Sequence, residues 1–148
     1  MCIRDSYQDV FPHFAGEDGV IRGPAGDGRV SAVTRDDIAD AAVAVLLAGT
    51  GEHDGRTYDL TGPQSLTVAE IAAELSRATG RTITYHAETV EEAYASRAHY
   101  GAPDWEVEGW VTSYTAIAAG DLEPVTDHVQ RLTGHPATSV REFLAAGS

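Results

Sequence analysis

The chain has 148 residues, of which 43% are apolar and 7% aromatic, a composition typical of one globular domain and unlike that of a disordered segment. Its 23 acidic and 10 basic residues give a formal net charge of −13, which disfavours nucleic acid and anionic membranes as partners because like charges repel. No apolar run approaches the roughly 20 residues that a membrane-spanning helix needs.

The first six residues, MCIRDS, show no periodicity and contain the only Cys and the only Met of the chain. They resemble the translation of a transposase end sequence used in preparing sequencing libraries, so we interpret residues 1–6 as a non-native scar. A single Cys allows no internal disulfide, and the N-terminus lacks the apolar stretch of a secretory signal. A cytoplasmic protein is therefore expected.

The first half of the chain predicts short strands and one helix. Residues 20–33 predict two extended segments around a turn that is rich in glycine and contains Pro24. Residues 35–48 predict a helix, because apolar side chains recur at three-four spacing and Asp36 and Asp37 suit its first turn. Residues 55–62 alternate polar and apolar side chains and predict another strand.

The second half predicts mostly helices. Thr67 and Glu70 have the spacing of a capping box, which predicts a helix ending at Gly80. Residues 81–86 predict a strand, and residues 88–101 and 103–120 predict two amphipathic helices. Two shorter helices are expected in 123–134 and 135–147, the latter with a capping box at Ser139 and Glu142. The chain therefore has a mixed α/β order of elements.

Few residues form a motif that would indicate chemistry. The six histidines include no pair at metal-ligand spacing, so no metal is expected. The sequence GPAGDG at 23–28 lacks the Lys-Ser/Thr of a P-loop and precedes no predicted helix. Arg35 follows a predicted strand, a position where open α/β sheets contact ligands, although the residues alone favour a salt bridge to Asp36, Asp37 or a neighbouring loop.

Three segments in order, at 19–46, 55–85 and 132–144, resemble the C-terminal half of NmrA-like proteins. These are atypical relatives of the short-chain dehydrogenases and reductases, and the similarity is greatest to their type 2 NAD(P)H:quinone oxidoreductase branch. The resemblance runs from about Tyr7 to the C-terminus. It implies a two-part molecule in which an N-terminal Rossmann domain holds NADP or NAD and a smaller C-terminal region closes over the substrate.

The resemblance also implies how this chain is organised. The chain contains no G-x-x-G-x-x-G, so the nucleotide-binding half is not expected in it. Residues 7–61 are predicted to be the remnant of the Rossmann-type sheet with its helix, and residues 62–148 a helical subdomain on the substrate side. The expected fold class is α/β, the C-terminal part of a Rossmann-type fold with short strands. A homodimer is also compatible with this family.

The site residues come from the same resemblance. Tyr7, Gln8, Asp9 and Arg35 are expected to contact the cofactor. An aromatic substrate pocket is expected from flat side chains on which a quinone can stack, namely Phe11, Phe14, Tyr94 and Trp105. Trp110 was considered for this pocket too, but packing is the preferred role for Trp110 and Tyr114.

The function implied for the parent protein is hydride transfer from NAD(P)H to a quinone-like or other small carbonyl acceptor. The fragment by itself is not expected to be catalytic. One alternative is a non-enzymatic NmrA-type sensor that binds the dinucleotide and regulates a partner. A second alternative is a self-contained small α/β binding domain.

Overall fold

The computed structural model describes residues 13–49 and 51–146. Within these ranges short strands alternate with helices, so the predicted mixed α/β architecture is confirmed. In chain order the elements are β1 Val20–Gly23, β2 Arg29–Val30, α1 Arg35–Leu47, β3 Leu66–Thr67, α2 Val68–Thr79, β4 Thr84–Ala87, α3 Val90–Arg97, a 3-10 turn Ala98–Tyr100, α4 Asp104–Ala119, α5 His128–Thr133 and α6 Val140–Ala146.

The strands pair over long distances in sequence. Strand β1 lies parallel to β4, with Val20 opposite Thr84, and β2 lies antiparallel to β3, with Val30 opposite Leu66. The two extended segments predicted in 20–33 are therefore present, but neither is the other's partner. Both pairings join residues on either side of the boundary predicted at 61/62, and that division remains a prediction.

The predicted helix ends agree with the structure at the caps. The Thr67 side chain accepts a hydrogen bond from the Glu70 N–H, while the Glu70 carboxylate accepts one from the Thr67 N–H, which completes the capping box. Ser139 and Glu142 make the same reciprocal pair before α6. Each such cap satisfies backbone N–H groups that the helix itself leaves without partners.

The strand predicted in 55–62 is absent from the described part of the chain. The Thr61 hydroxyl, which is fully buried, accepts a hydrogen bond from the Thr126 N–H at 2.9 Å, and the Asp59 N–H donates to the His128 ring at 3.0 Å. Hydrogen bonds to side chains thus hold this segment, instead of the regular backbone hydrogen bonds of a strand pair. An alternating pattern indicates which side chains face inward, but a strand also needs a neighbouring strand to pair with.

The core lies between the strands, α2 and α4. Its fully buried side chains come from β1, β2, α2 and α4 and include Ile21, Val30, Val68, Ile71, Leu75 and Ile117. Burying each of these contributes up to about 1.5–3 kcal/mol by apolar area. This core fixes α4 across the β1–β2 segment.

Two glycines allow α4 to approach that closely. A Cβ at Gly23 would lie 2.5 Å from the Tyr114 ring, and a Cβ at Gly28 would lie 2.2 Å from the carbonyl oxygen of Ile117. Both distances are far inside van der Waals contact. The glycines of the predicted turn are therefore needed for helix packing, in addition to any role in the turn itself.

Candidate functional site

A cleft of about 630 Å³ opens between the first described residues, β1, and the helices α3 and α4. Its volume is in the range of small-molecule sites in proteins. Its lining combines aromatic rings, two arginines, two histidines and small polar groups: His13, Phe14, Gly16, Asp18, Val20, Arg22, Ser96, Arg97, His99, Tyr100, Trp110, Ser113 and Tyr114.

Aromatic side chains form two pairs in the lining. The Phe14 and Tyr114 rings are tilted against each other with centroids 6.2 Å apart, and the Tyr100 and Trp110 rings meet edge to face at 5.9 Å. Tyr114 is 4% exposed and belongs to the core, whereas Tyr100 is 65% exposed. The cleft therefore has a rigid aromatic floor and an accessible aromatic rim, surfaces on which a flat molecule can stack.

Arg97 joins the elements that surround the cleft. Its Nη1 lies 3.0 Å from the Glu88 carboxylate, and its Nη2 donates to the Arg22 carbonyl oxygen in β1 at 3.0 Å. Its guanidinium carbon also lies 5.7 Å from the centre of the Tyr114 ring, within cation–π range. The Arg97 side chain thus connects α3 to β1 and to α4 around the cleft.

Asp18 and Arg22 lie on the β1 side of the cleft. The Asp18 carboxylate accepts hydrogen bonds from the Val20 N–H at 3.1 Å and from Arg22 Nη2 at 3.0 Å. These two donors, the backbone N–H first, lower the pKa of Asp18 below its usual value. Asp18 is therefore ionised at neutral pH and forms an ion pair with Arg22.

Tyr85 lies in β4 opposite Ile21 of β1, but it does not line the cleft. Its hydroxyl donates to the Gly23 carbonyl oxygen at 2.6 Å and accepts from the Ala25 N–H at 3.0 Å. Burial raises the pKa of Tyr85 above its ordinary value of 10.0. Its hydrogen bonds fix the turn between β1 and β2, so Tyr85 acts as a structural group.

A second, smaller concavity of about 340 Å³ lies between α2 and α6. There the Glu74 carboxylate forms ion pairs with Arg77 and with Arg141, the latter at 2.9 Å. Hydrogen bonds from Arg141 and Arg77 lower the pKa of Glu74 from 4.5 to about 2. These charges are satisfied by each other, so this concavity is best explained as a junction between two helices.

The structure places the predicted pocket residues in different surroundings. Phe14 lines the cleft, as do Trp110 and Tyr114, for which packing was the preferred role. Tyr94 and Trp105 do not line it, and they are 41% and 73% exposed on α3 and α4. Trp110 thus combines packing with a place in the cleft wall.

The predicted cofactor residues are only partly within the described range. Arg35 is the first residue of α1 and is exposed, and it is not part of the cleft lining. The remaining predicted residues, Tyr7, Gln8, Asp9 and the pocket residue Phe11, lie outside the described residues. Their roles remain predictions.

Sequence reasoning missed Arg22, Arg97 and His99. Asp18 and Arg22 have i,i+4 spacing, which would have indicated an ion pair but not a cleft. Arg97 and Glu88 had no such indication, because they meet only when α3 folds back on the segment after β4. Among the described residues no group of three His, Cys, Asp or Glu could hold a metal ion. No helix in the described ranges is long and apolar enough to cross a membrane.

The glycine-rich turn at 23–28 does not fit the phosphates of a dinucleotide. The turn before Arg29 leads into β2, so it does not continue into a helix N-terminus that could bind a phosphate. Gly28 in this turn is packed against α4, which leaves no room there for a phosphate. Within the described range the cleft offers space for the reacting end of a cofactor or for a second small molecule.

Comparison with known proteins shows which proteins the chain resembles. No family model matches the chain. It is 38% identical over 130 residues to an NAD(P)H azoreductase of Xenophilus azovorans, covering 88% of this chain and 45% of the azoreductase. It is 32% identical over 129 residues to quinone oxidoreductase 2 of Escherichia coli, covering 87% of this chain and 44% of that protein.

Solved structures agree with these relatives. The NADPH-dependent quinone oxidoreductase of Escherichia coli superposes with a TM-score of 0.84 at 31% identity, over 97% of this chain and 51% of that chain. The Citrobacter sp. triphenylmethane reductase, complexed with NADP(H), gives a TM-score of 0.79 at 30% identity, over 94% and 47%.

In sequence and in fold the chain is similar to NAD(P)-dependent reductases of mixed α/β fold. The resemblance predicted from the sequence, to the C-terminal part of an NmrA-like reductase close to the type 2 quinone oxidoreductases, is confirmed. The chain spans about half the length of the relatives it matches.

Proposed function

We propose that the chain is the acceptor-binding part of an NAD(P)H-dependent oxidoreductase. The acceptor is quinone-like or another small carbonyl compound, and NAD(P)H supplies the hydride. The proposal rests on the similarity to quinone and azo reductases, several of which are NAD(P)H-dependent by name, and on the cleft beside β1.

The cleft lined by aromatic rings is the single observation that carries this proposal. A planar acceptor inserted beside Phe14 would lie over the aromatic floor that Phe14 forms with Tyr114, and the Tyr100–Trp110 pair would cover its outer side. Because Tyr114 is held by the core and by Arg97, its ring keeps its orientation when the acceptor enters. The role of this wall is to stack and orient the acceptor and to exclude water from one of its faces.

The cofactor approaches the cleft from the N-terminal side in this proposal. Tyr7, Gln8 and Asp9 precede His13, the first described residue of the cleft lining, and are proposed to face the nicotinamide end of the cofactor. Arg35 is proposed to contact the cofactor from the start of α1. The phosphates are proposed to bind away from the turn at 23–28, which does not accommodate them.

The experiment is a chimera in which this chain replaces the matching half of Escherichia coli quinone oxidoreductase 2. NADPH binding is followed by the fluorescence of the reduced nicotinamide, and turnover by the absorbance loss at the same chromophore with a panel of quinones. We expect binding and turnover together. The relative itself and a chimera carrying Trp110→Ala are the controls, and the second should lose acceptor affinity while it retains NADPH binding.

The same experiment distinguishes the oxidoreductase from the non-enzymatic sensor. NADPH binding without turnover on any quinone would favour the non-enzymatic sensor and contradict the oxidoreductase proposal. That the protein is cytoplasmic and forms a homodimer remains a prediction from the sequence. Sedimentation of the purified chain tests the second of these.

A further inference from the structure

We infer that the cleft favours acceptors that carry an anionic substituent, and that Arg22 is the residue that determines this specificity. The inference rests on the proposed function, because it names a substrate class for the same cleft. It depends on the charges of the lining and on the hydrogen-bonding groups that Arg22 leaves available.

The described lining contains more basic than acidic side chains, although the chain as a whole is strongly acidic. Two arginines and one carboxylate line the cleft, Arg22, Arg97 and Asp18, whereas the whole chain carries 23 acidic against 10 basic residues. The imidazoles of His13 and His99 add further nitrogen groups to the same walls. A ligand with acceptor oxygens of its own therefore complements these groups.

Arg97 is already committed to protein partners. Its Nη1 contacts Glu88, and its side chain and that of Glu88 are 11% and 5% exposed. Nη1 also donates to the Ala93 carbonyl oxygen at 2.9 Å and Nη2 to that of Arg22 at 3.0 Å. The charge of Arg97 is therefore neutralised by Glu88. The role of Arg97 is to fix α3 against β1 at the cleft.

Arg22 is differently placed. Its side chain is 44% exposed, and within the described residues only its Nη2 makes a hydrogen bond, to Asp18. Its Nε and Nη1 groups make no hydrogen bond to another described residue. A planar guanidinium with N–H groups available in this way can bind a sulfonate or carboxylate through two parallel hydrogen bonds.

Asp18 limits the strength of this attraction. Its carboxylate competes for the same guanidinium, and both side chains are partly in water, where ion pairs are weak and screened by salt. We therefore expect a preference of about tenfold for an anionic over a neutral acceptor at low salt, which is the range of one charge-assisted hydrogen bond. Removing the Asp18 charge should increase that preference.

The test measures dissociation constants by isothermal titration calorimetry with the 148-residue chain. The probes are anthraquinone-2-sulfonate and its neutral counterpart anthraquinone-2-sulfonamide. We expect the sulfonate to bind about tenfold more tightly than the sulfonamide, and we expect this preference to disappear in Arg22→Gln. Asp18→Asn, which keeps the oxygen that accepts from Val20, should tighten sulfonate binding.

A matched control is available in α5. Arg131 also forms an i,i+4 ion pair, with Asp127, and it is not part of the cleft lining. Arg131→Gln should therefore retain the preference for the sulfonate. Circular dichroism and thermal melts of each variant show whether the fold is kept.

The outcomes distinguish the inference from the function on which it rests. Equal binding of the two probes to the unaltered chain would overturn the charge preference and leave a cleft for flat acceptors intact. A preference that persists in Arg22→Gln and does not rise in Asp18→Asn would overturn the assignment to Arg22. Binding of neither probe would overturn the cleft as an acceptor site and the inference with it.

Discussion

The Nη1 atom of Arg97 lies 3.0 Å from the Glu88 carboxylate, and both side chains are almost completely buried beside the cleft. Arg97 also donates to the Arg22 carbonyl oxygen in β1 and lies over the Tyr114 ring in α4. One buried ion pair thus connects the segment after β4, helix α3, β1 and α4. These elements form the cleft, so its shape depends on this pair.

Removing one member of the pair should destabilise the protein strongly. Glu88→Ala leaves the Arg97 charge buried without its counter-ion, which typically costs about 3–5 kcal/mol. Urea denaturation measures the free energy of unfolding. Glu91→Ala, at an exposed position in α3, should change it by less than about 0.5 kcal/mol. A Glu88→Ala protein as stable as Glu91→Ala would contradict the structural role of the pair.

Replacing glycine by alanine should have opposite effects on stability at Gly28, where α4 contacts the β1–β2 turn, and at Gly109, which lies in an open part of α4. Gly28→Ala places a methyl group 2.2 Å from the Ile117 carbonyl oxygen, and the helix must shift, at a cost of about 1–3 kcal/mol or more. Gly109→Ala adds a methyl group to an exposed helical position with nothing within 4 Å, and should stabilise by about 0.5–1 kcal/mol. Thermal melts of both variants check the signs, and a neutral Gly28→Ala would refute the close approach.

Asp37 should be far more important than its neighbour Asp36. Its side chain is 2% exposed, and its Oδ2 accepts hydrogen bonds from the Thr34 hydroxyl at 2.7 Å and from the Thr138 N–H at 2.8 Å. Asp37→Ala leaves the buried Thr34 hydroxyl and the partly buried Thr138 N–H without this acceptor, and a buried group left so costs about 1–3 kcal/mol. Asp36→Ala, which is exposed, should cost less than about 0.5 kcal/mol. Chemical denaturation of the two variants compares their free energies of unfolding. Equal losses of stability would show that Asp37 acts only as a charge in the first turn of α1.

Glu74 predicts a component of acid sensitivity. Its pKa is lowered from 4.5 to about 2 by Arg141 and Arg77, so the folded state binds its proton less readily than the unfolded state. The resulting stabilisation is fully present above pH 4.5 and is lost as the pH falls from 4.5 to about 2. Glu74→Gln should melt lower at neutral pH, and its melting temperature should fall less between pH 5 and pH 2.

The exposed Glu108→Gln serves as the control for that experiment and should follow the pH dependence of the unaltered chain. If Glu74→Gln also followed it, the ion pairs of Glu74 would be absent in solution.

The two tryptophans give a direct test of the cleft. Trp110 lines it, whereas Trp105 is 73% exposed and lies elsewhere on α4. Anthraquinone-2-sulfonate should quench tryptophan fluorescence to saturation in Trp105→Phe, because a bound quinone stacks near Trp110. In Trp110→Phe only linear, collisional quenching should remain. Saturable quenching that depends on Trp105 would instead support the pocket predicted from the sequence.

Local features of this fold were predictable because they depend on residues close together in the chain. The capping boxes at Thr67 and Ser139 follow from the three-residue spacing between a hydroxyl and a glutamate, and the helices behind them are where the spacing places them. The strand expected in 55–62 was wrong for the complementary reason. Its alternation was real, but a ladder requires a partner strand, and Thr126 and His128 provide side-chain contacts there instead.

The sequence by itself determined the acidic composition, the positions of the helices and the resemblance to NmrA-like reductases, since these depend on residue types and their order. Only the tertiary structure decided which side chains share the cleft. Arg97 contacts Glu88, the Arg22 carbonyl oxygen and the Tyr114 ring, and the last two partners lie in other elements, with Arg22 far from it in the chain. Such contacts form because burying the apolar faces of α2 and α4 brings distant segments together, and no local pattern records which polar groups then meet.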